Sequence, residues 1–227
     1  MGRNMIILHG CAGGENMRRT DKSILKQNLV YLLFWPVFVL RYLIIENFNP
    51  ARSYHSVWCP LDDRIPFLEG FIIPYIFWYF CMTGVHLWLF LYDDPAYRKY
   101  SGYLMLTVTI STAIFLLYPT CQNLRLTEFP RKNQLTAVVR HLYRMDTNTN
   151  VCPSEHVIIS FGFFLAVVYS EAATGKCRII AGVTALMTAV ATVFLKQHSV
   201  VDVIAAVPVC AVGWYAAFRE EGRIIGE

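Results

Sequence analysis

Six stretches of this chain are too long and too apolar to hide in one aqueous core. They lie at residues 29–45, 71–92, 101–119, 157–175, 179–195 and 199–218. Each approaches the roughly 20 residues that a helix needs to cross about 30 Å of hydrocarbon. The runs do not alternate, and an open sheet in lipid leaves its edge groups unpaired. The expected fold is therefore all-α, a polytopic membrane bundle of six transmembrane helices. Composition agrees: 56% of the 227 residues are hydrophobic and 16% charged, where a soluble domain carries about 25% charge. That excludes a disordered chain, a secreted disulfide scaffold and an ordinary cytosolic enzyme.

Charge bias sets the orientation. Arg3, Arg18, Arg19, Lys22 and Lys26 precede the first run, Arg98 and Lys99 join the second to the third, Lys176 and Arg178 join the fourth to the fifth, and Arg219 and Arg223 follow the sixth. The positive-inside rule places all four groups, and so both termini, in the cytoplasm. Residues 1–27 are expected to form a cytoplasmic tail, since Met5-Ile6-Ile7-Leu8 is too short for a signal peptide's apolar region. Residues 28–227 then form one membrane domain, with 47–70, 120–156 and the turn Lys196-Gln197-His198 outside. Five cations defy the rule. Arg125, Arg131, Lys132, Arg140 and Arg144 stand in the outer segment 120–156, which points to a job there such as gripping an anion.

The net charge of +4 is not gathered into the aromatic-laced basic stripe that phosphate backbones require, so nucleic acid is not an expected partner. The seven cysteines include no Cys-x-x-Cys pair, and neither a metal nor a cofactor is expected. Arg41 lies late enough in the first run to snorkel to an interface. Asp202 is the only charge in the sixth.

Two short stretches at outer helix mouths carry the chemistry. Cys152-Pro153-Ser154-Glu155-His156 opens the fourth run, and Lys196-Gln197-His198-Ser199-Val200-Val201-Asp202 opens the sixth. His198 and Asp202, four apart, share a helix face. A carboxylate holding one imidazole nitrogen leaves the other with a lone pair aimed outward, which suits a nucleophile or base. Pro153 suits the start of a helix and Ser154 its cap, and the free N–H groups there attract phosphate. His156 is placed to protonate a leaving oxygen, and Arg125 and Lys196 to neutralise phosphoryl oxygens. Taken singly, Ser154 reads as a cap, His156 as an interfacial histidine and the His198–Asp202 pair as a helix tie. Together they gather at one membrane face beside the anomalous cations.

At these residues the chain resembles the type 2 phosphatidic acid phosphatase superfamily, in particular its branch of inositol phosphorylceramide and sphingomyelin synthases. Pro153-Ser154-Glu155-His156 matches that family's Pro-Ser-x-His signature, and His198-Ser199-Val200-Val201-Asp202 the end of its third. The resemblance implies metal-independent phosphate-ester chemistry: His198 attacks phosphorus, Asp202 orients it, His156 protonates the leaving alcohol and Ser154 helps to hold the phosphate. It implies hydrolysis or phosphotransfer of a phosphate ester; the charge bias puts the site at the outer face of what is expected to be the plasma membrane, and a site at headgroup depth favours a lipid phosphate. Departures are visible. Leu126 follows Arg125 where the family has proline, Tyr118 stands in place of its first lysine, and Ala191-Thr192 replace a Ser-Arg. Glu155 must point away from any phosphate. Pro60-Leu61-Asp62-Asp63-Arg64-Ile65-Pro66 resembles a stretch of the synthase branch, with a structural or substrate-shaping role implied.

The alternative is a transporter or binding protein that uses His156, His198 and Asp202 as a relay. These groups lie near one surface rather than at the midplane, which favours the enzyme. His55 and His141 are expected to be solvated, His86 to be a packing residue, and the five tryptophans to be interface anchors.

Overall fold

A computed structural model of the chain describes residues 20–48 and 53–219. Most of the expected cytoplasmic tail and the end beyond Arg219 lie outside the described residues. Residues 22–27, expected in that tail, are already helical.

Helix α1 (Lys22–Leu32) is capped by the Asp21 carboxylate, which accepts from the Ser23 N–H. It breaks at Leu33 and resumes as α2 (Phe34–Phe48). Pro36 has no N–H to offer the Leu32 carbonyl, which accounts for the break. Strand β1 (His55–Ser56) and the short α3 (Pro60–Arg64) follow. Next come α4 (Ile72–Tyr92), α5 (Asp94–Leu117), strand β2 (Thr120–Cys121) and α6 (Gln134–Met145). The chain then forms α7 (Glu155–Val168), α8 (Gly175–Phe194) and α9 (Val200–Ala217). The two strands pair in parallel, His55 opposite Thr120.

Among the described residues, five helical segments are long and apolar enough to cross a membrane: 22–46, 69–92, 94–117, 175–194 and 200–217. Lipid-facing side chains such as Phe80, Ile179, Leu186 and Ile204 stay exposed on them. The fourth run differs from expectation. Its helix α7 has 14 residues and ends at Val168, a rise of about 21 Å at 1.5 Å per residue. It packs against α4, α5, α8 and α9, with Ile158, Ile159, Phe163 and Ala166 fully buried. Tyr103 of α5 wedges between α7 and α9, and its hydroxyl donates to the Ile158 carbonyl at 3.0 Å. Only glycine leaves room for that ring: a Cβ on Gly213 would sit 2.6 Å from Tyr103 Cε2, and one on Gly162 would also clash with the ring.

One end of the bundle gathers α3, α6, the strand pair and the first residues of α7 and α9. Amphipathic α6 lies in a segment expected only as an outer loop. Asn133 and Thr136 cap it reciprocally, and it buries Thr136 and Val139. Several of the anomalous cations serve this framework. Arg131 forms a fork with Glu69 at 2.6 Å, and Arg140 lies over the Phe129 ring. His55 is exposed, as expected, and stacks on Tyr118 with ring centroids 4.0 Å apart. His86 is fully buried, accepts from Trp35 Nε1 at 2.9 Å and meets Ser101 Oγ, so it ties α2 to α4 and α5.

Candidate active site

The turn from α8 to α9 is held from every side. Lys196 has φ of 56°, a left-handed conformation that L side chains rarely adopt, and surrounding bonds enforce it. Gln122 Nε2 donates to the Lys196 and Gln197 carbonyls, and Tyr143 Oη to the Leu195 carbonyl at 2.6 Å. The Lys196 ammonium reaches back to the carbonyls of Asp62 and Ile65, at 2.6 and 2.5 Å. Burial draws that ammonium below the ordinary lysine value, while Asp62 and Asp63 act the other way.

Asp62 of α3 completes the clamp. Its carboxylate accepts from Ser199 Oγ at 2.6 Å, from the Val200 N–H at 2.9 Å and from the Cys59 N–H at 2.8 Å. Burial pushes this carboxyl up, but the bonds from Ser199, Val200 and Cys59 outweigh it and hold it below the usual carboxylate range. Ser199 caps α9, and the Asp202 carboxylate accepts from the Ser199 N–H at 2.9 Å.

His198 therefore projects from a rigid turn. Its Nδ1 lies 3.1 Å from Asp202 Oδ2, as the four-residue spacing predicts, and Asp202 is fully buried. Its Nε2 lies 3.2 Å from Nδ1 of His156, 42 residues away in sequence. His156 is sandwiched by Tyr75 and Trp78, and its Nε2 meets Tyr75 Oη at 2.8 Å. One proton arrangement satisfies the whole row: Tyr75 O–H to His156, His156 Nδ1–H to His198, and His198 Nδ1–H to Asp202. The row ends on a carboxylate and leaves His198 Nε2 as an acceptor.

The remaining sequence candidates divide. Ser154 is buried at the start of α7 and its N–H donates to the Asp202 carbonyl at 3.1 Å, which joins the two signature stretches. Its hydroxyl makes no cap bond and has no partner among the described residues. Arg125 spends its guanidinium on the carbonyls of Tyr143, Asp146 and Thr147. Neither it nor Lys196 lines the pocket beside the two histidines. Glu155, expected to point away from any phosphate, lines that pocket beside the histidines, with its carboxylate held in a fork by Arg41 at 2.8 and 2.6 Å. Arg41 thus turns inward instead of snorkelling.

That pocket holds about 530 Å³ of empty space, part of it open to solvent, and is lined by Arg41, Tyr42, Glu46, Asp146, Asn150, Gln197 and both histidines, among others. The Cys152 thiol is pushed up to about 12 by burial and by the Asp202 carboxylate. Among the described residues no cluster of three or more His, Cys, Asp or Glu is arranged to hold a metal ion.

Tyr75, Gln122 and Gln197 escape a functional assignment by sequence alone, and Asp62 is marked there only as part of the 60–66 stretch. Tyr75 sits in an aromatic-rich run where nothing marks one ring from another. Arg41 and Glu155 do leave a signal, as opposite charges at the ends of two apolar runs.

A family model of the PAP2 superfamily matches residues 70–216. No curated protein and no solved structure matches the chain.

Proposed function

The chain belongs to the PAP2 superfamily, and from that premise we propose that it cleaves or transfers a lipid phosphate through a phosphohistidine on His198. One observation carries the reading: two imidazoles from distant parts of the chain meet at 3.2 Å, with a buried carboxylate behind one of them. A hydrogen bond of that length has no room for a phosphoryl group, so substrate binding parts the rings. His198 Nε2 then forms the N–P bond while the alcohol oxygen leaves. Asp202 stabilises the charge that develops on the ring. The incoming dianion favours cationic His156, whose Nε2–H donates to Tyr75 Oη and whose Nδ1–H passes to the leaving oxygen. Neutral His156 next takes the proton of water or of a second alcohol, which attacks phosphorus and frees His198. Water gives hydrolysis; an alcohol gives the transfer characteristic of the synthase branch.

Ser154 contributes its unpaired hydroxyl to the phosphate, and Arg125 and Lys196 support the walls through the carbonyls they bind. The charge bias of the loops supports a site at the outer face of the membrane with both termini in the cytoplasm, an arrangement in which the short apolar α7 makes the sixth crossing. A lipid substrate suits a site at headgroup depth.

The test is turnover of a fluorescent lipid phosphate in detergent with chelator present, following free phosphate and new phospholipid together. His198→Ala is expected to abolish both products without unfolding the protein. Asp202→Asn is expected to cost on the order of a thousandfold or more by leaving the ring in the wrong tautomer. Native turnover by His198→Ala removes the nucleophile.

A further inference from the structure

The basic residues that the sequence offers for phosphate are spent elsewhere. The Lys196 ammonium is bound to the carbonyls of Asp62 and Ile65 and the Arg125 guanidinium to three carbonyls around α6, and neither side chain lines the pocket. A phosphate beside His198 needs other donors. The pocket holds two that lack a full set of partners.

Arg41 is the first. It uses Nη1 and Nη2 on Glu155, and Nη1 also on Thr112 Oγ1 at 2.9 Å, while its buried Nε has no partner among the described residues. Its side chain is only 14% exposed. Gln197, the residue before His198, is the second. It is 2% exposed, its backbone is pinned by Gln122, and neither polar atom of its side-chain amide has a partner among the described residues. An amide buried without hydrogen bonds is costly. A guanidinium edge left open in an apolar helix is costly too, and the Glu155 carboxylate makes it tolerable by neutralising the pair.

We infer that Arg41 of α2 and the side-chain amide of Gln197 form the subsite for the phosphoryl oxygens of the substrate. The inference rests on the phosphohistidine reading and adds to it a residue outside the stretch that matches the family. Glu155 is a positioning residue here: it holds one edge of the guanidinium and leaves the Nε edge for phosphate.

The experiment uses inorganic phosphate and orthovanadate as competitive inhibitors of ester turnover by the full chain in detergent. Arg41→Gln and Gln197→Leu are each expected to weaken inhibition by about tenfold to a hundredfold. Glu155→Gln is expected to hold or tighten it, because an anion leaves the pocket while the guanidinium stays. The Arg41→Gln/Glu155→Gln double variant is expected to remain as weak as Arg41→Gln. If Arg41→Gln and Glu155→Gln instead lose inhibition equally and the double variant regains it, the pair is only a tie between helices and the subsite is overturned. Arg41→Lys guards against misfolding. With a native melting temperature it keeps the charge and loses the fork, so inhibition should still weaken, and unchanged inhibition overturns the role of Arg41. Active wild-type protein with unmoved inhibition in the Arg41 and Gln197 variants removes this subsite alone. Wild-type protein that turns over no phosphate ester and binds no phosphate removes the functional reading with it.

Discussion

Tyr75 does for His156 what Asp202 does for His198: each fixes one ring nitrogen so that the other faces the gap between them. The consequence depends on the leaving group. With an alkyl phosphate, departure needs a proton from His156, and Tyr75→Phe is expected to lower kcat by about tenfold, part of the roughly 10²–10⁴ that a positioned acid supplies. With a nitrophenyl phosphate, whose alcohol leaves unaided, the same variant should turn over almost as wild type. Equal losses on both esters would reduce Tyr75 to packing. Asp62 acts at one remove, through the turn. Its folded pKa lies below its unfolded value near 3.9, so the stability it provides is complete above about pH 4 and is lost as pH falls through the folded value. Melting temperatures between about pH 3 and 6 should fall on the acid side for wild type. Asp62→Asn should flatten that fall and cost about 1–3 kcal/mol at neutral pH, the penalty for leaving buried donors without an acceptor.

At the scale of elements, the short α7 depends on close contact with its neighbours. Without a hydrophobic drive between helices in lipid, association relies on packing, and glycine permits it. Tyr103 reads both Gly162 and Gly213, so Gly213→Ala is expected to push α9 from α5 at a cost of about 1–3 kcal/mol, seen as a lower melting temperature in detergent. Gly84, where an added methyl would meet nothing within 4 Å, is a natural control. The apolar runs are plain in the sequence because each needs only its own composition. The end of α7 is not: Val167 and Val168 flow into Tyr169 with no proline or glycine to mark the stop, and only the turn into α8 reveals it. Helix α6 is legible in principle, with Asn133 as cap and Leu135, Val139 and Leu142 at helical spacing. Its period is overshadowed by its charge, which is the stronger signal in a segment outside the bilayer.

Across the whole molecule, the two histidines and Asp202 stand out in the sequence because their spacing is local to short motifs. Their supporting residues do not, because support comes from pairs separated by long stretches of chain: Arg41 with Glu155, Asp62 with Ser199, Gln122 with Lys196. Such pairs leave no local pattern in a sequence. For the same reason the charges of Arg125 and Lys196 look free for substrate in the sequence, whereas carbonyls of the chain itself claim them. The latch from Asp62 to α9 reaches in from outside the family-matched stretch 70–216. A piece of the protein beginning at residue 70 would retain every signature residue yet lack the hand that steadies His198. Supplying residues 20–69 as a separate polypeptide in the same micelle should restore turnover, making activity a reporter of whether the two halves have met.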